Sequence, residues 1–262
     1  EIIELLNNVY NTQGLYKEQI EIIDIWLKYE PNNKKANAEK KLAFSALGKD
    51  VSDVDKERWE AEPSNIQYGL DYIMSLKEAS NDEKIIEVCN ELLVYEKYNK
   101  SVILYLAESY QNLYKEDDAL QVYQTLAKVD PTNYKVSIEI SKILMNQDEY
   151  QESLKWSETA ISMSNNKGEA FYQRAEVYFA VAEYCSKDPI QFWDKVVYEI
   201  AWEDYKTAYN KGFKQAKTRR DFLAENYITN SSDWFMRPDG EEHVTPQGDC
   251  YSWINKKVSR KK

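Results

Sequence analysis

Apolar positions recur at three- and four-residue intervals along most of the chain. Between residues 100 and 133 the pattern is clearest. Ile103, Leu106, Ala107 and Tyr110 form one set, and after a polar break Ala119, Leu120, Tyr123, Leu126 and Ala127 form a second. Each set keeps a 3.6-residue period, so each predicts an amphipathic helix with one buried face. The small residues Ala107 and Ala119 fall where the two helices should approach closely. Tyr110 and Tyr123 are large enough to fill the gaps toward neighbouring units.

The same two-helix pattern returns along the sequence. Asn33, Asn65, Asn99 and Asn133 are spaced by 32, 34 and 34 residues, and three of them follow a proline: Pro31, Pro63 and Pro131. Each Asn precedes a helical pattern, where its side chain can accept from free backbone N–H groups, so all four are expected N-caps. The prolines cannot continue a helix and mark unit ends. A fixed period of this length is the signature of a stacked helical repeat.

On these residues the chain resembles the tetratricopeptide repeat (TPR) family. Its large–small–aromatic first helix and small–aromatic–Pro second helix match Leu106, Ala107, Tyr110, Ala119, Tyr123 and Pro131. Its inter-helix turn is similar to Gly14-Leu15-Tyr16-Lys17-Glu18-Gln19-Ile20 and Asp148-Glu149-Tyr150-Gln151-Glu152-Ser153-Leu154. The family's Trp near the start of the first helix is absent, with Ile3, Ile103, Ser137 and Phe171 standing there. The resemblance implies an all-α, right-handed superhelical solenoid of about six helix pairs, roughly 70% helix or more.

The units read as 1–33, 34–65, 66–99, 100–133, 134–167 and 168–213. Unit 34–65 is degenerate, its second helix confined to residues 52–60 with Trp59 the one large anchor, so a weak joint is expected there. In unit 168–213 the second-helix set Tyr198, Ala201, Tyr205 and Ala208 arrives 14 residues late. Dividing the insertion gives about two extra turns on each helix, with Asp188-Pro189 as N-cap and first-turn Pro. Val181, Ala182, Tyr184 and Cys185 should then face Phe192, Trp193, Val196 and Val197. Those aromatics either close the hairpin tip or touch a partner.

A capping helix is expected near 214–228, within a 214–230 segment. Phe222, Leu223 and Tyr227 would form its apolar side, with Lys214, Lys217, Arg219 and Arg220 exposed. Residues 231–262 lose the helical period but hold the clusters Asp233-Trp234-Phe235-Met236 and Asp249-Cys250-Tyr251-Ser252-Trp253-Ile254 around a Pro238-Asp239-Gly240 turn. Disordered tails are poor in aromatics. This tail is therefore expected to fold back with Trp234 and Trp253 buried and the basic end, Lys256–Lys262, solvated. A free binding arm is the alternative.

Charge and cysteine content narrow the function. The chain has 34 Lys and Arg against 45 Asp and Glu; residues 1–167 carry 30 acidic and 19 basic side chains, and the remaining 95 carry 15 of each. An acidic body disfavours nucleic acid and favours a basic or neutral protein partner. Cys89, Cys185 and Cys250 show no paired spacing, and the single His243 lies in the tail, so neither a disulfide framework nor a zinc site is readable. Cys89 and Cys185 read as small core residues on helices. No phosphate loop, metalloprotease motif or nucleophile with an identifiable base is present, so no catalytic residue, cofactor or metal is expected. No stretch is long and apolar enough for a membrane span.

The family resemblance implies a concave surface, lined by first helices, that binds a protein or peptide. Carried over by position, its residues are Asn8, Asn11, Leu70, Met74, Lys77, Leu104, Glu108, Gln111, Asn112, Ile138, Lys142, Tyr172 and Glu176, with Phe192 and Trp193 as a possible secondary contact. A carboxylate-clamp ligand is not expected, because Glu4 stands where the clamp's Lys would precede Asn8. The expected function is a non-enzymatic interaction scaffold. Its alternatives are a permanent subunit of a larger assembly, or the interaction part of an enzyme whose catalytic domain lies elsewhere. The start at Glu1 rather than Met leans toward a bacterial periplasmic or envelope setting, with the cytoplasm as the alternative. Oligomeric state is open.

Overall fold

The computed structural model describes residues 1–235 and 242–261. The helices are α1 (Ile2–Gln13), α2 (Tyr16–Tyr29), α3 (Lys34–Ala46), α4 (Ser52–Ala61), α5 (Ile66–Glu78), α6 (Asp82–Tyr95), α7 (Lys100–Asn112), α8 (Glu116–Val129), α9 (Tyr134–Asn146), α10 (Tyr150–Met163), α11 (Gly168–Cys185), α12 (Phe192–Asn210), α13 (Ala216–Asn226) and the short α14 (Ser231–Phe235). They account for 72% of the described residues. A two-residue antiparallel pairing joins β1 (His243–Val244) to β2 (Val258–Ser259). Two compact units make up the chain, Glu1–Ala119 and Leu120–Lys262, with the boundary inside α8.

In unit 1, each helix from α1 to α7 packs on its neighbours in sequence. Asn33 and Asn99 cap α3 and α7 by accepting from the Ala36 and Val102 amides. Asn65 and Asn133 occupy the N-cap positions of α5 and α9 without that side-chain bond. Asn65 donates to Glu62 of the preceding turn, as Asn33 and Asn99 do to Glu30 and Glu96. At Gly69 an added Cβ would lie 2.4 Å from Leu92 Cδ2, so a side chain at this crossing of α5 and α6 would force Leu92 to shift.

The α3–α4 pair is tied by polar groups rather than by a large apolar seam. Lys40, 6% exposed, bonds Asp24 of α2 at 2.8 Å and Glu57 of α4 at 2.6 Å. Burial alone would lower its pKa, but the two carboxylates raise it. Trp59 is buried against Tyr72 of α5.

Unit 2 holds the larger core. Val181, Ala182, Val196, Val197, Tyr198 and Tyr205 of α11 and α12 join Leu223, Trp234, Val244, Tyr251, Ile254 and Val258 in one cluster. α11 and α12 run 18 and 19 residues against 13 and 14 in α9 and α10. Asp188-Pro189 does not start α12. Gln191 is the N-cap and forms a reciprocal capping box with Asp194, placing the helix start three residues beyond the proline.

Two tail expectations are corrected. Cys185 is not simply a core thiol but forms a disulfide with Cys250, pinning the tail to the end of α11. The basic end is not a solvated run: Lys256 bonds Asp204 at 2.8 Å, Lys261 bonds Glu199 at 3.1 Å, and Arg260 donates to the Trp234 carbonyl at 3.1 Å. Buried carboxylates on α12 draw these cations inward. Trp234 is 1% exposed, whereas Trp253 is only half-buried and donates to the Cys250 carbonyl. Met236, the Pro238-Asp239-Gly240 turn and Lys262 lie outside the described residues.

Candidate protein-binding surface

Two first helices of unit 1, α5 and α7, bring several of the expected surface residues together. Met74, 46% exposed, accepts through sulfur from the Tyr105 hydroxyl at 3.2 Å. One turn along, Lys77 bonds Glu108 at 2.7 Å, with its ammonium 5.0 Å from the Tyr105 ring centroid. The Glu108 bond raises the Lys77 pKa, opposed by burial. Asn112 reaches Asp82 at 3.0 Å, and Leu70 and Leu104 are half-buried. The patch thus combines a soft thioether, an aromatic face and a charge pair held in place by one another.

Tyr105 is the residue that sequence reasoning missed here. Its neighbour Leu104 took its place in the expected set, because the helical period fixes a face to no better than one position. The Tyr–Met–Lys arrangement spans two units 31 residues apart. Only a repeat-to-repeat alignment of exposed positions could have signalled it.

Beside Met74 a polar cleft of about 670 Å³ opens between α3, α4 and α5. Asp55, 2% exposed, bonds Lys41 at 2.5 Å and accepts from Ser75. Arg58 bonds Asp71 at 2.7 Å and lies 4.0 Å over Tyr68. These acids and bases neutralise one another, which suits the cleft to polar main chain rather than to an ion.

The other expected positions fare differently. Asn8 and Asn11 are exposed on α1, and Glu4 is paired with Lys35. Gln111 is half-buried at the end of α7. Ile138, expected on the exposed face, is only 2% exposed and packs with Ala160 and Ala170. Its position points into the α9–α10–α11 seam, which removes it from any binding surface. Lys142 bonds Glu139 at 2.8 Å. Tyr172, half-buried, packs on Tyr205 and Phe213 and lines a small cleft with α13 residues, while Glu176 accepts from the Tyr205 hydroxyl at 2.8 Å. Burial and then Glu176 push the Tyr172 pKa up to about 12. Phe192 packs on Trp193 and Trp234, both within reach of the core.

Among the described residues no helix is long and apolar enough to cross a membrane, and no group of three or more His, Cys, Asp or Glu gathers as a metal site. No known protein-family profile matches the chain. No curated protein matches it either. Solved structures do. MamA superposes with a TM-score of 0.54 at 15% identity, over 68% of this chain and 96% of its own. MamA of AMB-1 gives 0.51 at 16%, over 68% and 98%. PilF of Pseudomonas aeruginosa gives 0.50 at 14%, over 86% and 96%. At such identities these likenesses speak for the fold alone. By its helix-pair period and its backbone, the chain has a tetratricopeptide-type fold, a helical repeat array of consecutively packed helix pairs.

Proposed function

We propose that this chain is a non-enzymatic interaction module that holds an extended protein segment on the first-helix surface of unit 1. The observation that carries this reading is the Met74–Tyr105–Lys77–Glu108 patch beside the polar cleft. The exposed Met74 and the half-buried Tyr105 ring take side chains, and fixed polar groups take main chain. The ligand is an internal segment or a folded surface rather than a chain terminus, since Glu4 stands where a clamp lysine would precede Asn8 and is itself paired with Lys35. The Cys185–Cys250 disulfide supports an oxidising compartment, in keeping with an envelope setting.

A photo-crosslinking residue at position 105, followed by identification of the attached protein, tests the reading. Met74→Asp should reduce capture roughly tenfold or more without changing helix content, because Met74 is exposed. Unchanged capture by that variant moves the site elsewhere.

One observation favours the second reading, a permanent subunit of an assembly. α1 exposes Ile2, Leu5, Leu6 and Val9, a seam at helical spacing. If the native protein elutes only as a stable large species that free peptide does not exchange with, this second reading replaces the first.

A further inference from the structure

Residues 211–220 carry five cations, Lys211, Lys214, Lys217, Arg219 and Arg220, and no acid, in a chain of net charge -11. Four of the five are seated on aromatic rings of α11 and α12. Lys211 lies 5.4 Å from the Phe171 centroid, Arg219 4.6 Å from Phe179, and Lys214 and Arg220 each 4.4 Å from Tyr209. The rings hold the charges in position without neutralising them.

Carboxylate compensation is sparse. Arg220 pairs with Asp221 at 2.6 Å, while Arg219 Nε stands 3.7 Å from a Glu176 oxygen that already accepts from Tyr205. Lys211, Lys214 and Lys217 make no ion pair among the described residues. Of the four acids of α12, Asp194, Glu199 and Asp204 are buried and taken by Tyr251, Lys261, Lys256 and Arg174, and the exposed Glu203 stands 3.7 Å from Lys206. The near-neutral sum over residues 168–262 therefore conceals a cationic outer corner.

At that corner a cleft of about 400 Å³ is lined by Tyr172, Gln215, Thr218, Arg219 and Phe222. Arg219 and Phe222 are each 42% exposed. Arg219 has guanidinium N–H groups left for a planar acceptor, Tyr172 and Phe222 offer ring surface, and Gln215 and Thr218 can bond main chain.

We infer that the α11–α13 corner is a second docking site, specific for an acidic peptide segment, seating a carboxylate on Arg219 and an apolar or aromatic side chain against Phe222. This rests on the reading of the chain as a protein-binding module but uses a surface separate from the α5–α7 patch. A nucleic acid fits less well, because its phosphate track needs an extended basic surface and the rest of this chain repels it.

The test is fluorescence anisotropy with the whole chain and a labelled peptide alternating Asp with Phe and Leu. Its Asn-for-Asp and Lys-for-Asp counterparts and a single-stranded oligonucleotide serve as comparison probes. The acidic peptide should bind, lose affinity as salt is raised, and outcompete all three. Arg219→Gln should weaken it roughly tenfold, Arg219→Lys less, and Phe222→Ala comparably to Arg219→Gln, with melting curves checking that each variant folds. Equal binding of the Asn peptide, stronger binding of the oligonucleotide, or insensitivity to Arg219→Gln overturns the assignment. Loss of peptide binding in Met74→Asp but not in Arg219→Gln also overturns it, and leaves the α5–α7 reading standing. If no peptide binds at all the corner is not a site, while crosslinking at position 105 still decides the first reading independently.

Discussion

Three buried carboxylates spaced five residues apart on α12 are each answered by the tail or by the segment just after α13. Asp194 accepts from Tyr251 at 2.6 Å, and Glu199 from the Thr229 amide at 3.1 Å and from Lys261. Asp204 accepts from both Arg174 Nε and a terminal nitrogen, at 2.7 and 2.9 Å, and from Lys256. A buried charge left without partners costs several kcal/mol, so these pairs matter mainly through the penalty for breaking them. Burial lowers the Lys256 pKa, with Asp204 opposing, so this lysine is a cation held against its desolvation. The cysteines allow a direct check. Cys89 is buried, and burial pushes its pKa up to about 12. Thiol titration of the native oxidised chain should therefore find no fast-reacting group, and denaturation without reductant should reveal one. Three thiols on denaturation would disprove the Cys185–Cys250 bond. Cys185→Ser should destabilise by about 4 kcal/mol or less, given the 65-residue separation.

At the scale of the element, the turn between paired helices shows what the repeat demands of the backbone. Gly14, Gly48, Ser80, Tyr114 and Asp148 all have positive φ, at 68, 67, 54, 57 and 62°, with the repeat's own spacing. Only two are glycine; the others carry a Cβ in the left-handed region, at a cost of about 1 kcal/mol each. Tyr114 is 91% exposed and has little packing to lose. Tyr114→Gly should thus stabilise the fold by about 0.5–1 kcal/mol, read as a higher urea midpoint at unchanged slope. A lower midpoint would mean that the ring makes contacts that outweigh the strain. The tail is the other informative element. Truncation after Asn230 removes Trp234, Tyr251, Ile254 and Val258 from the core and strips partners from Asp194, Glu199 and Asp204. The melting temperature should fall by several degrees or more, and α13 should become protease-sensitive. Unchanged stability with lost binding would make the tail an arm instead of a cap.

Across the whole molecule, tyrosines set the response to alkali. Burial is the first cause raising the pKa of Tyr150, Tyr172, Tyr178, Tyr198, Tyr205 and Tyr251, all in unit 2. In the unfolded chain they titrate near their ordinary value of about 10, whereas the folded protein keeps its protons. The stability they contribute is therefore fully present below about pH 10 and is lost as pH rises toward and beyond the raised values. Lys256, shifted downward, works in the opposite sense, one group against six tyrosines. Melts at about pH 8 and about pH 11 should show unit 2 losing stability first. Equal melting at the two values would contradict the burial of these rings.

The sequence by itself determined the helices, their pairing and the repeat period, because amphipathic periodicity, proline breaks and the turn motif are local signals that each unit repeats. It marked Trp234 for burial, since an aromatic cluster in a short polar tail has few other places to go. It did not determine that Ile138 turns inward, that Tyr105 rather than Leu104 meets Met74, or that Asn65 and Asn133 leave their caps unmade. The first two outcomes depend on the rotation of each helix about its axis, which neighbours 22 to 32 residues away decide. The Cys185–Cys250 bond and the capture of Lys256 and Lys261 by α12 acids were likewise decided only by tertiary structure. They join residues 52 to 65 apart, and no local pattern records which distant charge or sulfur the folded tail will meet.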